Sequence, residues 1–146
     1  MTLLEKALDA EDIQEILIKD SHDNIIYIRD KKMETFYKYD EHGNRIYKED
    51  QSGMRWEYEN DVNGNRIYTK RSDGFEGRFY YDARGNMVVV QTSYDGKMGF
   101  EEYREYDDNN RLVNNIMVTE DFITAYEYDK NGKCTSTRKQ RQEETK

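Results

Sequence analysis

The sequence predicts an all-β fold: an antiparallel meander of tandem β-hairpin repeats, with about eleven strands in a curved single sheet or an open barrel and an amino-terminal α-helix. Three observations lead to this prediction. A turn motif recurs about every 21 residues, and further turns fall about ten residues after several of its copies. The 146-residue chain has 13 Tyr, 5 Phe and 1 Trp, far more aromatic residues than disordered chains of similar polarity contain.

The recurring motif is a turn with Asp at its start and Gly or Asn at its end. An Asp side chain accepts hydrogen bonds from backbone N–H groups further along the turn, and Gly or Asn supplies the left-handed conformation that completes a three-residue hairpin loop. Each copy therefore predicts one hairpin, and six copies fill nearly the whole chain. They are the segments 39–46, 60–67, 81–88, 106–112 and 128–133, with a degenerate first copy at 20–25.

A second set of turns lies between these motifs. The segments 50–53, 72–74 and 94–96 end in glycine and follow the first set by ten or eleven residues. Chain reversals at this spacing are typical of an antiparallel meander. The fold thus follows from turn chemistry alone.

Pairing outward from each turn assigns side chains to the two faces of the sheet. With no register shift, Tyr37 pairs with Tyr47 and Tyr58 pairs with Tyr68, which gives an aromatic and an acidic face. Either face is a candidate binding surface. The predicted aromatic binding face comprises Tyr37, Tyr39, Tyr47, Trp56, Tyr58, Tyr68, Phe79 and Tyr81, and the predicted acidic binding face comprises Glu57, Glu59, Glu105 and Glu127.

The two ends of the chain differ from the repeats. Residues 1–19 are predicted to form a helical segment, because Thr2 and Glu5 have the spacing of a capping box and apolar residues recur at a rough helical period. Residues 20–137 form the predicted repeat domain. Residues 138–146 are a polar tail without an apolar residue.

Composition excludes several classes of function. The net charge of −8 and the pI near 4.9 oppose direct binding to nucleic acid. No apolar stretch is long enough to span a bilayer and the amino terminus has no secretory pattern, so we expect a cytoplasmic protein. A single cysteine, Cys134, and two histidines in turns, His22 and His42, provide no metal site, and no glycine-rich phosphate loop is present. We therefore expect no metal, no cofactor and no catalysis.

The repeated Tyr-Asp-x-x-Gly hairpins at 39, 81 and 128 resemble the YD repeats of the RHS family. The match is weaker at 106, where Asn110 replaces Gly, and at 60, where Asn60 replaces Tyr. Members of that family are usually very long chains whose sheet forms a shell around a toxin or a large extracellular barrel. Six repeats are too few for such a shell, so the resemblance implies the local fold and an association with toxins.

These observations favour a non-catalytic, acidic protein-binding module. A small inhibitor, an immunity-like protein or an anti-defence protein fits this description, with mimicry of nucleic acid as one mode of action and a basic or nucleic-acid-binding protein as the partner. Two alternatives stay open: a carbohydrate-binding module that uses the aromatic face, and a structural fragment of a larger RHS-type repeat protein. The oligomeric state, including a homo-oligomer, also stays open.

Overall fold

A computed structural model of the chain describes residues 15–30 and 32–143. Within these residues it is one antiparallel sheet of twelve strands, which lie side by side in chain order. Each strand pairs with its sequence neighbours, and β1 and β12 form the two edges. The strands are β1 Glu15–Lys19, β2 Ile25–Asp30, β3 Glu34–Tyr39, β4 Arg45–Asp50, β5 Arg55–Asn60, β6 Arg66–Arg71, β7 Phe75–Tyr81, β8 Met87–Tyr94, β9 Lys97–Tyr106, β10 Leu112–Thr119, β11 Phe122–Tyr128 and β12 Cys134–Arg141.

The predicted amino-terminal helix is wrong for residues 15–19, which form strand β1 and pair with β2. No helix occurs in the described part of the chain, and the predicted capping box at Thr2 and Glu5 lies outside it. Ile16 and Ile18 explain the error, because β-branched side chains favour a pleated strand over a helix. This extra strand raises the predicted count of about eleven to twelve. At the other end, β12 continues to Arg141, into the segment predicted to be a polar tail.

Aspartate side chains organise the turns as expected. In the hairpin between β7 and β8, Asp82 Oδ1 accepts hydrogen bonds from the backbone N–H groups of Arg84 and Asn86, both at 2.9 Å. The Asn86 side chain donates to the other carboxylate oxygen at 3.0 Å. The same pair of backbone N–H groups, two and four residues beyond the aspartate, is bonded in six other turns, at Asp20, Asp40, Asp50, Asp61, Asp107 and Asp129.

The last residue of each such loop needs a left-handed backbone. Gly85 has φ of 82°, and the equivalent positions in other repeats are Asp23 at 67° and Asn110 at 60°. A Cβ atom at Gly85 would meet no neighbouring atom within 4 Å, so any cost of substitution there comes from the backbone itself.

We therefore expect Gly85→Val to destabilise the protein by about 2 kcal/mol and Gly85→Asn by less than half of that, because Asn tolerates the left-handed region far better than a β-branched residue. Urea unfolding monitored by Trp56 fluorescence measures both changes. Equal losses for the two variants would contradict a backbone origin.

The tyrosine of the repeat motif joins each hairpin to the preceding one. Tyr81 Oη donates a hydrogen bond to the carbonyl oxygen of Arg66 at 2.8 Å. Tyr39 and Tyr106 make the same bond to the repeat before them, at 2.8 and 2.9 Å. In the repeat where Asn60 replaces tyrosine, its side-chain amide donates to the Arg45 carbonyl at 3.2 Å. The replacement of the motif tyrosine by Asn60 therefore preserves the hydrogen bond between repeats.

Removal of this hydroxyl tests the contact. Tyr81→Phe should lower the free energy of unfolding by about 1 kcal/mol, because one part-buried hydrogen bond is lost. The neighbouring residue is the matched control: Tyr80 is 48% exposed and points to the opposite face, so Tyr80→Phe should change stability very little. A larger loss for Tyr80→Phe would contradict the assigned role.

The sheet has very little core of its own. Among the described residues, Tyr27 and Val90 are the buried hydrophobic side chains, at 6% exposure each, and no large side chain is completely buried. Both faces of a single-layer sheet remain open to solvent in this part of the chain.

Candidate binding site on the sheet face

A register shift beside each turn of the repeat motif divides the predicted aromatic face between the two sides of the sheet. Tyr39 pairs with Arg45 as predicted, but Lys38 then pairs with Tyr47, which leaves Ile46 as an extra residue in β4. The second repeat shows the same shift, since Glu59 pairs with Tyr68. Such a β-bulge moves every later side chain of the strand to the other face.

Two faces result, and we name them by their composition. The cationic–aromatic face carries six of the predicted aromatic residues: Tyr37, Tyr39, Trp56, Tyr58, Phe79 and Tyr81. The remaining two, Tyr47 and Tyr68, lie on the opposite face, which we call the mixed-charge face. The predicted pairings of Tyr37 with Tyr47 and of Tyr58 with Tyr68 are therefore wrong, because they omitted the bulge.

The four predicted acidic residues do share one face, the mixed-charge face. Basic side chains neighbour two of them, since Glu57 pairs with Lys70, and Tyr68, the partner of Glu59, pairs with Arg78. Glu105 and Glu127 instead both pair with Asn114. The surface therefore alternates in charge over β4–β7. Glu57, Glu59, Glu105 and Glu127 lie on it together with Arg55, Lys70 and Arg78.

The aromatic face is also cationic. The sequence predicts Arg45 opposite Tyr39, and the structure confirms this pairing, with the guanidinium 6.0 Å from the ring centroid. The other cations of this face were not predicted. The Arg45 guanidinium lies 4.2 Å from the Tyr37 ring centroid, and the Arg66 guanidinium lies 3.6 Å from that of Tyr58. Nearer the opposite turns, Lys48 Nζ lies 4.4 Å from the Trp56 ring. Cations at these distances are attracted to the electron-rich ring faces. Arg45 and Arg66 lie on this face with or without the bulge, and a bulge at the Asp-x-x-Gly turn, applied to the register, would also have placed Lys48 beside Trp56.

Aromatic and cationic side chains alternate from strand to strand on this face. The aromatic residues come from β3, β5 and β7, and the cations come from β4 and β6. Because neighbouring strands are about 4.8 Å apart, cations on β4 and β6 are separated by about 10 Å across the sheet. All five glutamates of β3–β7, namely Glu34, Glu49, Glu57, Glu59 and Glu76, lie on the mixed-charge face.

The cations differ in how they are paired. Arg71 forms two hydrogen bonds to Asp73, at 2.7 and 2.6 Å, and Arg104 forms two to Glu102, at 3.0 and 2.8 Å. By contrast, Arg45, Lys48 and Arg66 form no ion pair with any described residue. Arg66 Nε is buried and has no hydrogen-bond acceptor within the described part of the chain.

Burial affects the tyrosines of this face as well. Desolvation raises the pKa of Tyr58, an effect that the nearby Arg66 and Arg45 charges oppose. Desolvation also raises the pKa of Tyr81, and the Asp61 charge adds to it. On the other face, the Tyr47 pKa is raised first by the hydrogen bond that its hydroxyl donates to Glu49. These hydroxyls therefore remain protonated at neutral pH.

Part of the negative charge has a structural explanation. Besides the seven turn aspartates described above, Asp30 accepts bonds from the backbone N–H groups of Lys32 and Met33 at 2.7 and 2.8 Å. These eight are among the 31 acidic residues of the chain. The turns of this fold thus require part of its acidity whether or not a partner binds.

A shallow depression of about 540 Å³ lies on the mixed-charge face and is lined by Tyr47, Arg55, Glu57, Lys70, Arg71, Ser72 and Gly74. No cluster of three His, Cys, Asp or Glu residues suited to a metal ion occurs in the described ranges. Cys134 is exposed. No helix of the described residues is long and apolar enough to cross a membrane.

The architecture defines a class of fold, a single-layer sheet built from tandem hairpins of the RHS-repeat type. Solved structures support this assignment at the level of fold. The chain superposes on a TcdB2-TccC3-Cdc42 toxin structure with a TM-score of 0.71 at 15% identity, over 88% of this chain and 7% of the other. For a TcdB2-TccC3-TEV structure the TM-score is 0.64 at 16% identity, over 87% and 8%.

A third similar structure is the Tc holotoxin pore of Photorhabdus luminescens, with a TM-score of 0.55 and 15% identity over 90% of this chain and 9% of the other. This chain therefore spans less than a tenth of each of these toxin chains. No protein-family model and no curated protein sequence matches it. These likenesses concern Tc toxin components that contain RHS repeats, and at this identity they establish the shared fold.

Proposed function

We propose that this chain is a non-catalytic protein-binding module of the RHS-repeat type, and that it binds its partner through the cationic–aromatic face. The observation that carries the proposal is the open state of this face. Six aromatic residues lie on one side of a single-layer sheet, and no described segment packs over them. All six are half-buried, and Tyr, Trp and Arg are the residues that contribute most to the affinity of protein interaction surfaces.

The acidity of the chain does not support mimicry of nucleic acid, which was one of the modes predicted from the sequence. Many of its aspartates are engaged in turns, and the glutamates of β4–β7 on the mixed-charge face are interspersed with basic residues. An inhibitor or immunity-like role remains a hypothesis about the partner's identity and does not depend on this mode.

Photocrosslinking from defined positions tests the proposal. Benzoylphenylalanine is placed at Tyr37 or Trp56 on the cationic–aromatic face and, as matched controls, at Tyr47 or Tyr68 on the mixed-charge face. In cells of the source organism, we expect the first pair to yield one shared adduct that the second pair does not. Adducts in equal yield from both faces, or none from the first pair, would overturn the proposal.

A second candidate is a segment of a longer repeat protein, favoured by the small share of the toxin chains that this chain spans. Such a segment gains stability from flanking repeats. A cooperative thermal transition of the isolated chain would favour a self-sufficient module, and a broad, non-cooperative transition would favour the segment.

A further inference from the structure

We infer that the partner contributes an acidic, extended segment, which crosses β4–β6 on the cationic–aromatic face with its carboxylates on Arg45, Lys48 and Arg66. This inference rests on the proposed function and specifies the chemistry of the partner.

Charge complementarity is the first argument. Three cations lie on this face without an ion pair to any described residue, and the glutamates of the same strands all point away from it. Lys48 and Arg66 are half-buried and Arg45 is exposed. A half-buried cation is stabilised when an acceptor of opposite charge reaches it, and Arg66 Nε lacks an acceptor among the described residues.

Two ion pairs within the sheet show how a carboxylate binds an arginine of this face. On this same face, Arg104 is held by the two carboxylate oxygens of Glu102, and Arg71 is held by those of Asp73. The planar guanidinium matches a carboxylate in two parallel hydrogen bonds. Arg45 and Arg66 have the same guanidinium group but no carboxylate acceptor among the described residues. A carboxylate of the partner would accept their hydrogen bonds.

The geometry favours a peptide over a single-stranded nucleic acid. Bases would need free ring faces to stack on, yet cations already cover the rings of Tyr37, Trp56 and Tyr58 at 3.6–4.4 Å. Turn aspartates also line both ends of these strands, which are six residues and about 20 Å long. Arg45 and Arg66 are the first residues of β4 and β6, so a narrow chain that contacts them lies at one end of these strands and avoids the acidic rim at the other end.

The spacing of the cations also suits an extended peptide. Residues two positions apart, on one side of a β-like chain, are about 7 Å apart, and the length of Glu and Arg side chains spans the difference from the separation of about 10 Å between cations on β4 and β6. Acidic side chains at such intervals can reach Arg45 and Arg66 from one segment. Trp56 lies between these strands, so its emission reports occupancy.

Binding of a synthetic peptide tests the inference. The probe is a fluorescein-labelled twelve-residue peptide of alternating Glu and Thr, with the Gln–Thr peptide and a twelve-nucleotide oligo(dT) as competitors for comparison. We expect anisotropy and Trp56 emission to titrate together with the Glu–Thr peptide. Binding should weaken between 50 and 200 mM salt, and the Gln–Thr peptide should not bind.

Variants locate the site. Arg45→Met, Lys48→Met and Arg66→Met keep an apolar stem and remove the charge, and each should weaken binding about tenfold. The matched controls are Lys38→Met and Arg78→Met, since these cations lie 4.9 Å from the Tyr47 and Tyr68 rings on the opposite face and should leave affinity within twofold. Circular dichroism confirms folding, and Lys48→Met replaces either arginine variant that fails to fold.

Three results would overturn the inference. These are no peptide binding, equal losses in the control variants, and tighter binding of oligo(dT) that the same three variants abolish. The proposed function fails separately, when crosslinks at Tyr37 and Trp56 are absent. A partner that crosslinks there but binds the three methionine variants normally would refute the acidic segment alone.

Discussion

The sheet is expected to unfold between about pH 4.5 and pH 3, well before most globular domains of its size. The cause is the set of turn aspartates, whose carboxylates accept several hydrogen bonds in the folded protein and none of fixed geometry in the unfolded chain. The pKa is lowered at eight of them: Asp20, where desolvation is the largest contribution and opposes the hydrogen bonds, and the seven aspartates Asp30, Asp40, Asp50, Asp61, Asp73, Asp82 and Asp107.

At the seven aspartates other than Asp20, hydrogen bonds are the largest cause of the lowered pKa. For Asp40, Asp61 and Asp107 the first cause is a backbone N–H bond, and desolvation opposes it. At Asp82 it is the bond from the Asn86 side chain, and at Asp73 it is the bond from the Arg71 side chain.

The direction of the effect follows from linkage. A group whose folded pKa lies below its unfolded value contributes stability that is complete above the unfolded pKa, here 3.8, and is lost as the pH falls through the folded pKa. Each aspartate can differ by up to about half a proton between the two states near that pH, so unfolding should take up about three protons. Stability should be flat from pH 8 to 5 and fall steeply below 4.5.

Thermal melts between pH 8 and 3, followed by circular dichroism at constant ionic strength, measure this dependence. Two adjacent residues separate turn chemistry from general acidity. Asp107 accepts bonds from Asn109 and Arg111, so Asp107→Ala should lower the melting temperature by roughly 5 °C at pH 7 and by little at pH 3. Asp108→Ala removes the same charge from the same turn and should change little at either pH.

A melting temperature that stays constant down to pH 3 would show that the turn carboxylates contribute nothing. Equal effects of Asp107→Ala and Asp108→Ala would assign the acid sensitivity to net charge instead.

The turns also show how much of the fold the sequence could predict. A turn motif of five or six residues specifies each chain reversal, as Asp82 and Gly85 do within their own hairpin. The repeats and the meander could therefore be predicted from the sequence. The single-layer state could not, because it depends on whether any other segment packs on either face.

The candidate site was harder to predict than the fold. One extra residue beside a repeat turn, such as Ile46, moves Tyr47 to the opposite face, and the same shift brings Lys48 beside Tyr37 and Trp56. Composition along the chain does not show this, since a one-residue change of register reverses every later side chain. The helix prediction for residues 15–19 was wrong for a related reason. Three apolar residues in a row fit a helix as well as a strand when the partner strand is unknown.

The second large effect concerns the one buried ion pair of the described strands. Glu102 is 8% exposed and accepts three bonds: two from Arg104, and one from the Asn115 side chain at 2.7 Å. The Arg104 hydrogen bonds are the largest cause of the lowered Glu102 pKa. Glu102→Met keeps the side-chain volume but leaves two donors without an acceptor, so the protein should lose about 3 kcal/mol of stability at pH 7.

Urea unfolding of a small set of variants checks this expectation. Glu101→Met is the matched control, because Glu101 lies next along β9 on the opposite face, where it accepts a bond from the Tyr103 hydroxyl at 2.7 Å. Its loss should be below about 1 kcal/mol, since that face is solvated.

The double variant Glu102→Met with Arg104→Met decides the origin of the loss. We expect the stability loss of Glu102→Met to arise because Arg104 is left without a carboxylate partner. In that case the removal of both side chains should restore part of the stability, because an apolar pair of similar volume needs no hydrogen-bond acceptor. The double variant should then be more stable than Glu102→Met alone, although Asn115 still lacks its acceptor. Losses that simply add would show that Glu102 acts through packing, and that Arg104 is sufficiently solvated to stand alone.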